Sequence, residues 1–117
     1  MIENFKSITE NLRDYLFTLK QIYEESEKPD KNDAEFFESV RQEINPYYDL
    51  IDEWEVAAKE LIKERKITIF PPQVDATVKS MRAIALHSYY IDVRKRRYMD
   101  IKKSCDYVFQ LILKELS

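Results

Sequence analysis

Apolar residues recur every three or four positions along most of this chain, and that spacing marks one face of an α-helix. Between Ile2 and Glu27 the stripe is Phe5, Ile8, Leu12, Tyr15, Leu16, Leu19, Ile22 and Tyr23, with Phe17 beside it. Pro29 ends this first helix, because proline disfavours helical geometry in the residue before it. The polar link that follows places Asn32 or Asp33 as the cap of the next helix, with Glu35 positioned to complete a capping box. A second stripe, Phe36, Phe37, Val40, Ile44, Tyr47, Ile51, Trp54, Ala58, Leu61 and Ile62, spans about Asp33 to Arg65. Pro46 falls inside it, removes one amide donor and crowds the carbonyl of Gln42, so a kink is expected there. The stripe keeps its phase across the proline, which favours one kinked helix over two.

Lys66 to Phe70 alternates polar and apolar residues and reads as an extended connector that tucks Ile67, Ile69 or Phe70 onto the core. Pro71-Pro72 opens a third helix, where a first-turn proline costs nothing. From Gln73 to Leu116 no residue breaks the helix. One helix of that length would span about 65 Å, so a compact molecule must turn. The stripes Val74, Val78, Met81, Ile84, Ala85 and Tyr98, Ile101, Cys105, Val108, Ile112, Leu116 leave the turn between His87 and Asp92, with Asp92 as cap. The boundary can slide as far as Arg97.

The expected architecture is therefore all-α. It is one domain over 1–117, a left-handed four-helix up-and-down bundle with antiparallel neighbours. Its helices run over about 2–27, 33–65, 72–88 and 92–116. Reflecting the chain about Ile69 puts the Pro46-Tyr47-Tyr48 kink level with the His87-Ser88-Tyr89-Tyr90 turn, as an aromatic cluster.

Composition narrows the function classes. The 117 residues are 44% hydrophobic and 35% charged, as in a globular domain. Glycine is absent, which argues against phosphate-cradling loops and tight hairpins, since both lean on it. The single cysteine, Cys105, forbids an intramolecular disulfide and a cysteine-clustered zinc site. The charged start, Met-Ile-Glu-Asn-Phe-Lys, does not read as a signal peptide, and no apolar run approaches the roughly 18 residues of a membrane span. A cytoplasmic protein with no membrane association is expected. A net charge of −3 makes the molecule as a whole no evident polyanion binder.

The succession Phe36-Phe37, Glu53-Trp54, Leu61-Ile62-Lys63-Glu64-Arg65, His87-Ser88-Tyr89-Tyr90 and Arg94-Lys95-Arg96-Arg97-Tyr98-Met99-Asp100 resembles the YppE-like proteins of low-GC Gram-positive bacteria. The resemblance runs over nearly the whole chain. It implies a cytosolic four-helix bundle and, because that family is a domain of unknown function, no activity and no site residues.

The candidate chemistry centres on His87 to Tyr98. Residues 92–103 carry six cations against two carboxylates, a local net of +4. Arg94, Lys95, Arg96 and Arg97 offer a patch for an acidic partner, phosphate or nucleic acid, with Tyr89, Tyr90 and Tyr98 as stacking surfaces. Tyr47 and Tyr48 join them at the expected kink, and His87 lies at the helix end. The bland alternative spends the arginines on carboxylates inside the molecule. Residues 24–38 could supply these, with a local net of −5, as could Asp49, Asp52, Glu53 and Glu55. A lone histidine without a Glu-x-x-His pair makes a carboxylate di-metal site unexpected. Cys105, in an apolar stripe, reads as core rather than nucleophile. Trp54 reads as a core anchor.

The resulting expectation is a non-enzymatic protein-binding or adaptor module without metal, cofactor or catalytic residues. Its surface would be Tyr47, Tyr48, His87, Tyr89, Tyr90, Arg94, Lys95, Arg96 and Arg97. Association with nucleic acid or another anionic ligand through Arg94 to Arg97 is the alternative. Phe17, Phe37 and off-stripe tyrosines leave monomer and homodimer both open.

Overall fold

The apolar stripes become four helices in the computed structural model, which describes residues 2–25, 34–89 and 94–116. They are α1 (Ile2–Glu25), α2 (Ala34–Lys63), α3 (Pro71–Tyr89) and α4 (Lys95–Leu116), and no strand occurs among the described residues. The four helices pack as an up-and-down bundle with extents of 48 × 27 × 22 Å. The long dimension matches α2, whose 30 residues span about 45 Å.

Cross-helix pairs fix the directions. Glu43 meets Tyr89, Tyr47 meets Met81, Asp52 meets Arg82 and Lys59 meets Asp75. Residue numbers broadly fall along α3 as they rise along α2, so the two helices are antiparallel. Tyr15 with Tyr47 and Phe5 with Trp54 set α1 against α2 in the same sense. Each helix touches the next, and α4 closes on α1.

The two diagonals of the bundle differ. α1 and α3 come into contact, and small residues on the buried side of α3, Thr77, Val78, Ala85 and Ser88, permit that approach. α2 and α4 make no backbone approach among the described residues. Large rings span the space between them instead. Trp54 meets Phe109 edge-on at 5.8 Å and stacks on Phe5 of α1 at 6.0 Å. All three are fully buried.

The Trp54 indole is the one polar group that this aromatic junction must satisfy. Its Nε1–H donates to Thr9 Oγ1 at 3.0 Å, and the Thr9 hydroxyl donates to the Phe5 carbonyl at 2.8 Å. Thr9 is itself fully buried. The short chain leaves no donor stranded, as a low-dielectric interior demands.

The second helix runs unbroken through Pro46. The amide donor that proline lacks leaves the Gln42 carbonyl on an exposed face, where water can reach it. α2 ends earlier than its stripe suggests, at Lys63 rather than Arg65. Lys66 N–H donates to the Leu61 carbonyl at 2.8 Å and Arg65 N–H to that of Ile62 at 3.0 Å. That pair of bonds is a Schellman motif. It needs a left-handed residue, and Arg65 takes the position at φ 60°. In a chain without glycine, a side chain must accept that conformation, at a cost of about 1–2 kcal/mol.

Beyond the motif the chain runs extended. Ile67 and Ile69 are buried and Phe70 is exposed. Glu115 of α4 holds the connector, accepting from both Thr68 N–H at 3.2 Å and Thr68 Oγ1 at 3.1 Å. Phe70 then caps α3. Its carbonyl accepts from the amides of Gln73 and Val74, and the Gln73 side chain returns to the Phe70 amide at 2.8 Å. α3 therefore starts at Pro71, one residue before the expected 72, and extends through Tyr89 rather than 88.

The extended connector also corrects the register. The fold axis lies near residue 67 rather than Ile69, because the tips of α2 and α3 are level and the connector crosses between them. Tyr47 therefore faces Met81, and Tyr89 faces Glu43. Pro46 and the end of α3 are about a turn and a half apart. The expected caps Asn32, Asp33 and Asp92, and the break at Pro29, lie outside the described residues. α4 itself begins at Lys95, not at 92, with the Arg94 carbonyl accepting from Tyr98 N–H at 3.0 Å.

Candidate functional site

The basic run forms the cap and first turn of α4. Arg94, Lys95, Arg96 and Arg97 are all exposed. Among the described residues, Lys95 alone of the four has an ion pair, to Glu24 at 4.0 Å. Arg94, Arg96 and Arg97 make none among the described residues. With Asp100 and Ile101, these three arginines line a shallow depression of about 230 Å³. Among the described residues, the alternative in which these cations pair with the acidic face of α2 does not occur. Asp52 pairs with Arg82 of α3, and Glu55 and Asp75 share Lys59. Arg82 and Lys59 lie at the level of those carboxylates, whereas α4 stands diagonally across the bundle from α2.

No acidic residue occupies the first turn of α4. Cations at a helix N-terminus oppose the macrodipole, by about 0.3–1 kcal/mol each when exposed. The macrodipole alone gives no reason for three arginines and a lysine here.

The tyrosines go elsewhere. Tyr98 points inward and is fully buried, stacked on Tyr23 with ring centroids 4.0 Å apart and planes 5° from parallel. Its hydroxyl lies 2.7 Å from Ser88 Oγ, and Ser88 spends its own proton on the Ile84 carbonyl at 2.7 Å. Tyr98 is therefore the donor of that bond, which ties the end of α3 to the start of α4. Burial pushes its hydroxyl pKa up to about 12. The expected stacking surface is thus core, because position 98 falls on the apolar stripe of α4.

Tyr47 is also interior. Its hydroxyl donates to the Met81 carbonyl at 2.9 Å, and burial raises its pKa well above the ordinary 10.0. Its ring lies 5.2 Å from Tyr15 and 6.1 Å from Tyr48, which is half-buried. Tyr89 is half-buried and donates from its hydroxyl to Glu43 Oε2 at 3.0 Å. His87 is half-buried in the last turn of α3. Tyr90 lies outside the described residues.

The surface expected from sequence thus divides in two. Arg94, Arg96 and Arg97 line the depression on α4. Tyr47 and Tyr89 line a separate cleft of about 410 Å³ together with Tyr15 and Glu43. Sequence reasoning assigned no role at a site to Tyr15 or Glu43. Tyr15 was visible in the α1 stripe, but its proximity to Tyr47 depends on helix pairing and not on local pattern.

Cys105 is fully buried, and burial pushes its thiol up to about 12. It is neutral and unreactive in that setting. Among the described residues no group of three or more His, Cys, Asp or Glu side chains converges to hold a metal ion. No helix among them is long and apolar enough to cross a membrane.

Residues 9–116 match the family described as a bacterial domain of unknown function, DUF1798. The chain belongs to this family. It is 27% identical over 91 residues to the uncharacterized protein YppE of Bacillus subtilis (strain 168), a match covering 77% of this chain and 74% of YppE. The crystal structure of yppE from Bacillus subtilis has the same fold, with a TM-score of 0.84 at 22% identity, covering 99% of this chain and 94% of that one. Membership in DUF1798 thus agrees with the bundle, the fold that yppE shares.

Proposed function

We propose that this protein is a non-enzymatic cytoplasmic binding module that engages an acidic protein surface through the start of α4. One observation carries the reading: Arg94, Arg96 and Arg97 are exposed together, without ion pairs among the described residues, at a helix end where positive charge is unfavourable. Guanidinium groups suit carboxylate recognition because each presents a planar fork of donors. An acidic protein is favoured over nucleic acid. Single-stranded nucleic acid is gripped by aromatic platforms beside the cations, and Tyr98, the aromatic residue nearest the arginines in sequence, is buried.

The test compares the wild type with an Arg94→Glu/Arg97→Glu double variant in capture from cell extract and in binding to a labelled oligonucleotide at low salt. The expected result is a set of acidic proteins retained by the wild type and lost from the variant, with oligonucleotide binding negligible for both. Identical retained sets would overturn the reading. Oligonucleotide binding abolished by the double variant would replace it with the nucleic-acid alternative.

A further inference from the structure

We propose that the tyrosine cleft between α1, α2 and the end of α3 binds a small organic cation with an apolar body. The site is separate from the α4 arginines and does not rest on their role.

The cleft has a volume of about 410 Å³, within the range of ligand pockets. Its lining includes three aromatic rings, Tyr15, Tyr47 and Tyr89, and the aliphatic side chains of Leu19 and Ile44. Glu43 is the single charged residue among the described residues of that lining, and no cation among them balances it. Against these residues an anionic ligand would meet a carboxylate and no positive group. A cation gains both from the carboxylate and from the electron-rich faces of aromatic rings.

The rings are held before any ligand arrives. Tyr47 is fixed by its bond to the Met81 carbonyl and Tyr89 by its bond to Glu43. Tyr89 reaches Oε2, which leaves Oε1 of the carboxylate without a partner among the described residues. Fixing the walls in advance reduces the ordering cost of binding. Tyr15 packs on Tyr47 at 5.2 Å and is half-buried. Its hydroxyl makes no hydrogen bond among the described residues, and it adds a polar contact at the rim.

Three probes of similar size and different charge test the assignment: benzyltrimethylammonium, benzyl alcohol and benzoate, titrated into the full chain and followed by NMR of the tyrosine rings. Saturable shifts of Tyr15 and Tyr89 with the cation, weaker ones with the alcohol and none with benzoate are expected. Glu43→Gln keeps an acceptor for the Tyr89 hydroxyl while removing the charge. It should weaken the cation about fivefold and leave the alcohol unchanged. Tyr15→Leu should weaken the cation by a similar factor, and the position is only half-buried, so the fold is retained. The proposal fails if the cation gives no saturable shift up to about 10 mM, if benzoate binds as well as the cation, or if Glu43→Gln binds the cation unchanged.

Discussion

Thr9 decides more than its size suggests. The hydroxyl accepts from the Trp54 indole and donates to the Phe5 carbonyl inside a fully buried aromatic junction. Thr9→Val keeps the shape and strands the indole N–H. An unsatisfied buried donor costs about 1–3 kcal/mol. Urea denaturation followed by Trp54, the only tryptophan, should show a lower midpoint with an unchanged slope. An unchanged midpoint would mean that the indole finds another acceptor. Nothing in the local sequence pointed to Thr9, because its importance comes from a partner 45 residues away. The same holds for Arg65, whose left-handed geometry is set by the two carbonyls the Schellman motif must satisfy. By contrast, Phe5, Leu12, Trp54 and Cys105 were legible as core from spacing alone.

At the scale of the element, the start of α4 separates stability from function. Arg94 caps this helix with its carbonyl, and Lys95 to Arg97 form the first turn. Replacing two of these cations with carboxylates removes unfavourable interactions with the macrodipole and adds favourable ones. The Arg94→Glu/Arg97→Glu variant should therefore be more stable than the wild type by about 0.5–2 kcal/mol, read from the urea midpoint at low salt. A less stable variant would show that the arginines hold the fold together through contacts of their own. The helices themselves were readable from the sequence because each has an unbroken 3.6-residue stripe. Their ends were less so. α2 stops at the Schellman motif rather than where its charged tail ends, and α4 uses a backbone carbonyl as its cap. The cross-helix register missed by about a turn and a half, since an extended connector consumes length without adding helical rise. That offset is why Tyr47 and the end of α3 share a cleft instead of a surface cluster.

Across the whole molecule, three buried acids share one pH response. Tyr47, Tyr98 and Cys105 all have raised pKa values in the folded state, chiefly through burial, with Tyr98 and Cys105 each at about 12. The neutral forms are the ones the fold tolerates. Unfolding lets the groups ionise at their ordinary values, 9.0 for the thiol and 10.0 for the phenols. Their contribution is complete below about pH 9 and is lost as the pH rises towards 12. The urea midpoint should fall steeply above pH 9, and Cys105→Ala should delay the onset. A midpoint that stays level from pH 8 to 11 would contradict the burial of these groups.

Glu115 holds Thr68 across 47 positions of sequence. The last turn of α4 thus guards the connector between α2 and α3 as a latch guards a hinge plate. A protease working inward from the end of α4 would release that latch early. The next cut should then fall between Lys66 and Phe70, separating α1 and α2 from α3 and α4.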